Sequence, residues 1–410
     1  MKLNKWTVGL ASVGVVSMAS VVQAEEKPNM VQTMLDSTML SGYVDTSAQW
    51  NPGSGNEKLP DYKFGGSGKA DGFNLDVVQI RIEKPLDSAE WAAGYRVDLW
   101  AGPDANTLAT QSFGPGAEGG IAADFAIRQA YLALRMPIGN GLDWKLGVFD
   151  SIIGYESVEG PANPNYTRSF GHSIEPQTHT GILASYRFCD AFAVSAGIAN
   201  TKGPGINSRA FGEDGKAESS KTYMASFLVT APESMGFLSG STLEAGFVNG
   251  LDDPEGRADY DENSASYYVG ATLATPVTGL RLGAAFDYLD VHNLRGETYS
   301  LAAYTSFQAT EKLSLHFRGE YLRDRGEQKF FTTDFTDPTA STNPDRVMAL
   351  TATAQYDLWK NVISRLEFRW DHSLSGQRVW GTPRTDGEGG VVSGSLRNEW
   401  LLAANLIYKF

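Results

Sequence analysis

The chain is 410 residues long, holds a single cysteine and carries a formal charge of −14 at neutral pH. One cysteine excludes an intrachain disulfide framework and a CxxC metal site, so Cys189 reads as a small apolar residue beside a turn. The acidic balance excludes nucleic acid as a partner, and beyond the N-terminus no run approaches the roughly 20 apolar residues of a membrane helix.

Lys2 and Lys5 open the chain, Trp6 to Val22 is apolar and rich in small residues, and Val22-Gln23-Ala24 precedes polar Glu25, Glu26 and Lys27. This order reads as a secretory signal peptide over residues 1–24. Its removal takes away two lysines and moves the charge from −14 to about −16. Residues 25–38 are then a short N-terminal periplasmic segment. Met30 to Ser37 reads as a tether, with one or two helical turns as the alternative.

From residue 39 onward the chain alternates with period two. Strands are expected near 39–50, 73–83, 90–100, 125–136, 142–150, 178–188, 191–200, 221–230, 241–249, 265–275, 279–290, 297–308, 312–322, 346–357, 361–371 and 398–410. Leu313, Leu315 and Phe317, for example, oppose Ser314, His316, Arg318 and Glu320. In the last strand Leu402, Ala404, Leu406, Tyr408 and Phe410 share one face. A chain ending inside an apolar strand leaves an unpaired edge, which closure into a barrel removes. The alternative is an edge strand of a soluble β protein.

The connections alternate in length. Short ones include 84–87, 138–141, 189–190, 276–278, 309–311 and 358–360; long ones include 51–72, 101–124, 151–177, 201–220, 250–264, 323–345 and 372–397. Together these features predict an all-β protein. It is a transmembrane antiparallel β-barrel of about 16 strands spanning 39–410, with short periplasmic turns and long extracellular loops. Trp91, Trp144, Trp359, Trp370, Trp400, Tyr356 and Tyr408 fit aromatic girdles at the membrane interfaces.

Loop 151–177 differs from its neighbours. It carries Ile152, Ile153, Tyr155, Val158, Tyr166, Phe170 and Ile174 among its glycines and prolines, so it is expected to pack against something. Here a resemblance becomes specific. Gly147-Val148-Phe149-Asp150, Gly154-Tyr155-Glu156, Asn163 through Ser169, Glu175-Pro176 and Thr178 through Gly181 resemble the putative β-barrel porin-2 family, the OmpL-like group. The resemblance extends over the mature chain, including the opening Ser41-Gly42-Tyr43-Val44 strand. It implies an outer-membrane channel without supplying a solute. By analogy with general porins, it also implies a third loop folded into the pore and a homotrimer. The terminal Tyr408 and Phe410 resemble the C-terminal signal read by the barrel assembly machinery.

A channel needs a polar lumen with placed charges. The expected constriction pairs an acidic loop, Glu156, Glu159 and Glu175 with Asp150, against a basic wall of Arg81, Arg96, Arg128, Arg135 and Lys145, with Arg168 in the ring. Arg281, Arg318, Arg365 and Arg369 face the same way. Each charge could equally be matched by a neighbour for structure; only the set suggests a transverse field. Phe149, Tyr131, Tyr155 and Tyr166 are candidates to stack a sugar. The acids of 250–264 lack EF-hand spacing and read as a solvated loop. His179 with Ser173 and Glu175 is the nearest approach to a catalytic set, and no GxSxG, HExxH or phosphate loop occurs, so no enzyme, cofactor or metal is expected. The expected partners are outer-membrane lipid, lipopolysaccharide and small hydrophilic solutes. The alternative is a plugged barrel acting as a structural, adhesive or binding protein, which long loops 101–124 and 372–397 permit.

Overall fold

The computed structural model of the chain describes residues 31–32, 37–53, 69–108, 124–209, 220–251, 263–291, 296–325, 346–378, 380–381, 384–385, 391–393 and 395–410. The expected signal peptide and the acidic residues of loop 250–264 lie outside the described residues.

Sixteen long strands form one antiparallel ring. They are β1 Met39–Trp50, β2 Gly72–Lys84, β3 Ala92–Ala101, β4 Phe125–Met136, β5 Leu142–Asp150, β6 Thr178–Cys189, β7 Phe192–Ala199 and β8 Thr222–Thr230. The second half is β9 Thr242–Leu251, β10 Asn263–Ala274, β11 Leu280–Val291, β12 Gly296–Gln308, β13 Leu313–Arg325, β14 Arg346–Trp359, β15 Val362–Ser373 and β16 Asn398–Lys409. Every expected strand is present, with ends within three residues of the periodicity reading. Val31 and Gln32 add a two-residue strand that pairs with Leu40 and Met39, so these two residues are extended, not helical.

The ring closes between the last strand and the first. Leu402 lies opposite Trp50 and Lys409 opposite Tyr43. Phe410 continues the seam, exchanging both backbone hydrogen bonds with Gly42 at 3.0 Å. A Cβ on Gly42 would collide with the backbone oxygen of Gln79 on β2 and sit 2.8 Å from Phe410 Cζ, so glycine is needed for the close approach of β2 as well as for the terminal ring. Closure explains the apolar outer face. Leu366 is 56% exposed and Phe317 47%, while their neighbours Arg365, Glu367 and Arg318 point inward and are buried. In a soluble protein such a face would stay unburied; in a barrel it meets lipid. No described helix is long and apolar enough to cross a membrane.

Loop lengths alternate around the ring with two departures. Residues 231–241, on the short-turn end, carry a 3-10 turn at Glu233–Leu238. On the long-loop end, β11 and β12 are joined by only residues 292–295.

Two β-bulges break strict alternation where it matters. Between β1 and β2 the register steps from Asp45↔Val77 to Thr46↔Leu75, leaving Asp76 as the extra residue. Between β3 and β4 it steps from Asp98↔Gln129 to Leu99↔Ile127, leaving Arg128 extra. A bulge lets two consecutive residues face one side, so Arg128 and Gln129 are both buried, as are Asp76 and Val77. Strict alternation alone cannot place both Arg128 and Arg135 inward, because their spacing is odd; the bulge does.

Candidate functional site

The interior of the ring is occupied by the loop between β5 and β6. Its neck is closed by the Ser151 N–H donating to Gln177 O at 3.0 Å. Phe149, Ile152, Ile153 and Tyr155 then pack on an apolar inner wall of Leu183, Met224, Val248, Tyr268 and Tyr304. Tyr155 stacks on Tyr304 with centroids 4.2 Å apart. Burial of these side chains, each worth about 1.5–3 kcal/mol, fixes the first third of the loop against β6 to β12.

The loop next turns on Asn163, whose side-chain carbonyl accepts the Ser157 N–H at 2.8 Å and whose amide donates to Glu159 O at 2.9 Å. It continues across the lumen to the opposite wall. There the wall's charges bind loop backbone. The Glu367 carboxylate accepts the Tyr166 and Thr167 N–H groups at 2.6 and 2.9 Å, and Glu320 accepts the Phe170 N–H at 2.7 Å. Arg318 donates to Thr167 O at 2.7 Å, Arg369 to Arg168 O at 2.8 Å, and Arg365 to Gly160 O at 3.1 Å. Tyr166 reaches β1, its hydroxyl accepting from Gln49 Nε2 at 2.8 Å.

A short helix closes the loop, and a similar one lies in an earlier loop; α1 is Asp104–Leu108 and α2 is Phe170–Ile174. Ser169 caps α2, its side chain accepting the His172 N–H at 3.1 Å. Burial, and then Arg168, push the His172 ring down to about 3, so it is a neutral packing group. In α1, Asp104 receives Lys69 Nζ at 2.5 Å, and the same ammonium donates to Asp76 at 2.6 Å. Two further loops are thereby tied to β2.

The expected constriction residues divide into two sets. Glu156 is sealed: Arg318 Nη1 donates to it at 2.8 Å and the Ser169 N–H at 2.8 Å. Burial alone would raise its pKa; Arg318 and Arg168 outweigh that and hold it below the ordinary carboxylate range. Arg168 folds back on its own loop, donating to Tyr166 O at 3.0 Å and Val158 O at 2.8 Å. Glu175 follows α2, which lies against β11, and its carboxylate stands against Gly154, where a Cβ would collide with it. Arg318 and Arg369 are wholly buried as well.

The second set lies on the β2 to β5 side and, apart from buried Arg128, keeps contact with solvent. Glu159 accepts from both Arg81 and Arg96, the latter at 3.0 Å. Both arginines also bind Asp98, at 2.8 and 2.6 Å. Arg128 is ion-paired with Asp150 at 2.6 Å, and the Asp150 side chain is 38% exposed. Lys145 stands 5.0 Å from the Tyr131 ring. Arg135 sits beside the short turn, bidentate to Asp143 at 2.6 and 2.7 Å. Its side chain serves that turn and not the ring around the loop.

Of the rings considered for stacking a sugar, Phe149, Tyr155 and Tyr166 are buried in loop packing, and only Tyr131 is partly open. His179, Ser173 and Glu175 have separate partners: His179 Nε2 lies 3.3 Å from Ser151 Oγ, while Ser173 Oγ donates to Ser169 O at 3.4 Å. His179 thus sits where the loop rejoins the wall. The sequence reading overlooked Glu320, Glu367 and Asp371 as loop-binding or arginine-holding groups. Their signal was an inward i, i+2 series of opposite charges, Arg318-x-Glu320 and Glu367-x-Arg369-x-Asp371.

A closed sixteen-strand ring with its third long loop drawn inside has a counterpart in sequence. A family model described as putative beta-barrel porin-2, OmpL-like, matches residues 37–410. The chain belongs to that family. Known folds agree with the assignment. An anion-selective porin from Comamonas acidovorans is 11% identical with a TM-score of 0.57, covering 91% of this chain and 99% of its own. OmpT of Vibrio cholerae is 12% identical with a TM-score of 0.54, over 93% and 100%. The outer membrane channel DcaP of Acinetobacter baumannii is 11% identical with a TM-score of 0.54, over 91% and 97%. At such identities the likeness is one of fold. No curated protein matches the chain. Family and fold make this an outer-membrane porin in the general sense.

Proposed function

We propose that this porin passes small hydrophilic solutes and ions by passive diffusion, along the β2 to β5 side of its lumen. The observation that carries the proposal is the asymmetry of the interior. The loop is bonded to β1, β13 and β15 and packed on β6 to β12; toward β2 to β4 it makes contact through Val158 and Glu159, yet Arg81, Arg96, Glu159, Asp150 and Lys145 retain solvent contact there. Carboxylate and guanidinium groups lining an aqueous passage orient water and favour polar solutes. Glu159 is the loop's contribution to that passage, with Arg81, Arg96, Arg128 and Lys145 on the wall. Arg135 belongs to the approach from the short-turn end. In this reading the protein is a channel and not an enzyme, and it uses no cofactor.

The remaining features of this reading are export by a signal peptide over 1–24, a periplasmic segment over 25–38, and insertion directed by Tyr408 and Phe410 through the barrel assembly machinery. Lipid and lipopolysaccharide then surround the outer face, and three copies associate as in general porins. The near-complete burial of loop 151–177 favours a second reading, a plugged barrel with a structural, adhesive or binding role. Planar-bilayer recording of the purified, folded barrel separates the two. Stepwise currents are expected; silence from a correctly folded, heat-modifiable barrel would establish the plug.

A further inference from the structure

Glu159 is held differently from Glu156. It opens the 3-10 turn Gly160–Ala162, yet its side chain makes no capping bond there. Its backbone is fixed instead. The Ser157 hydroxyl accepts its N–H at 3.0 Å, and the Asn163 amide donates to its carbonyl at 2.9 Å. The carboxylate is bound by the wall alone: one oxygen, Oε1, receives Nη2 of both Arg81 and Arg96. Rotation of this one side chain empties the pair of arginines and leaves the turn intact.

The wall has binding capacity beyond what Glu159 uses. Arg81 and Arg96 grip Asp98 through Nε and Nη2, at 2.6 to 3.2 Å. Among the described residues neither Nη1 has a partner. The two arginine side chains are 18% and 12% exposed and Glu159 is 21% exposed, so water reaches all three. A third cation stands beside them. Tyr131 lies opposite Arg96, and the Lys145 ammonium is 5.0 Å from the Tyr131 ring. No carboxylate among the described residues pairs with Lys145. The neighbouring wall positions are small: Gly94 is opposite Ala133, Ala133 opposite Lys145, and Gly147 opposite Tyr131. Glu83 is opposite Arg96 on β2 and forms no ion pair with it.

We propose that Arg81 and Arg96, with Lys145, form a binding subsite for the carboxylate of small organic acids, and that Glu159 is a tethered occupant which such a solute displaces. The arginines already hold two carboxylates, and the guanidinium fork matches that group in shape as well as charge. Asp98 is wholly buried and stays. Glu159 reaches water, where an ion pair contributes little net, so it exchanges. Transport of such acids rests on the channel reading; their binding at the arginines does not.

Isothermal titration calorimetry of the folded full-length barrel with succinate reads the binding without a current. Saturable binding is expected, and none of succinamide, its neutral counterpart. A competitor tethered at an effective concentration in the millimolar range weakens a millimolar ligand severalfold. E159Q and E159A should therefore bind succinate severalfold more tightly than the wild type. R96Q should lose the binding and K145Q should weaken it. R96Q leaves Asp98 with Arg81 and with Gln129 Nε2 at 3.2 Å, so the barrel should stay heat-modifiable. In planar bilayers, succinate should block chloride current at severalfold lower concentration in E159Q than in the wild type. Affinity no higher in E159Q and E159A than in the wild type would overturn the subsite, as would binding retained by folded R96Q. A rise in chloride permeability of E159Q without tighter succinate binding would also overturn it, because Glu159 would then act by charge alone. Tighter succinate binding in E159Q with no current from any form would uphold the subsite and overturn the channel reading.

Discussion

Glu159 and Glu156 are both loop carboxylates three residues apart, yet they do different work. Glu159 is partly exposed between Arg81 and Arg96. A charge acting through water at about 8 Å is worth on the order of 0.5 kcal/mol, about twofold in a permeability ratio. E159Q is expected to raise anion over cation permeability by about that factor, read from the reversal potential in a salt gradient. Glu156 is buried against Arg318. Removing one partner from a buried ion pair costs about 3–5 kcal/mol, so R318M should release this part of the loop and add large, noisy conductance steps. Because the Glu156 pKa is depressed, the clamp's contribution is present above the ordinary value of 4.5 and is lost as pH falls through the depressed one. Acid should therefore loosen the Glu156 end of the loop. Current noise recorded from pH 6 downward in wild type and E156Q would check this, the acid response being absent from the variant.

Among the elements, the loop and the closing seam carry the most consequence. The loop's first third depends on apolar contacts, so I153A should cost about 2–5 kcal/mol locally. Increased proteolysis within 151–177 in an otherwise heat-stable barrel would be the expected result. The seam depends on Gly42 and Phe410 meeting backbone to backbone. Deleting Phe410, or replacing Gly42 with valine so that the β2 backbone and the terminal ring are both pushed away, should lower the fraction of folded, heat-modifiable protein in the membrane. Channels that assemble without Phe410 should keep their conductance, because that deletion does not touch the lumen.

For the whole molecule, an interior packed on one side and wet on the other sets the size of any passage. Removing loop residues 156–174 between short glycine linkers should raise unit conductance several-fold, as the buried wall from β13 to β15 becomes water-lined. Single-channel recording of that variant beside the wild type measures how much of the lumen the loop fills.

The alternation of apolar and polar residues was enough to place all sixteen strands, because each side chain's face follows from position parity and lipid on one side demands apolar groups. Loop 151–177 also announced its packing through its apolar content, and the porin-2 resemblance was carried by words within it. Parity could not reveal the bulges at Asp76 and Arg128, since an extra residue in a strand depends on the register of its partner. Nor could it tell which charges face water. Arg318 and Arg369 look the same in sequence as Arg81 and Arg96. Only the path of the loop across the ring buries the first two and leaves the others open, because that path is decided by contacts between residues more than a hundred positions apart.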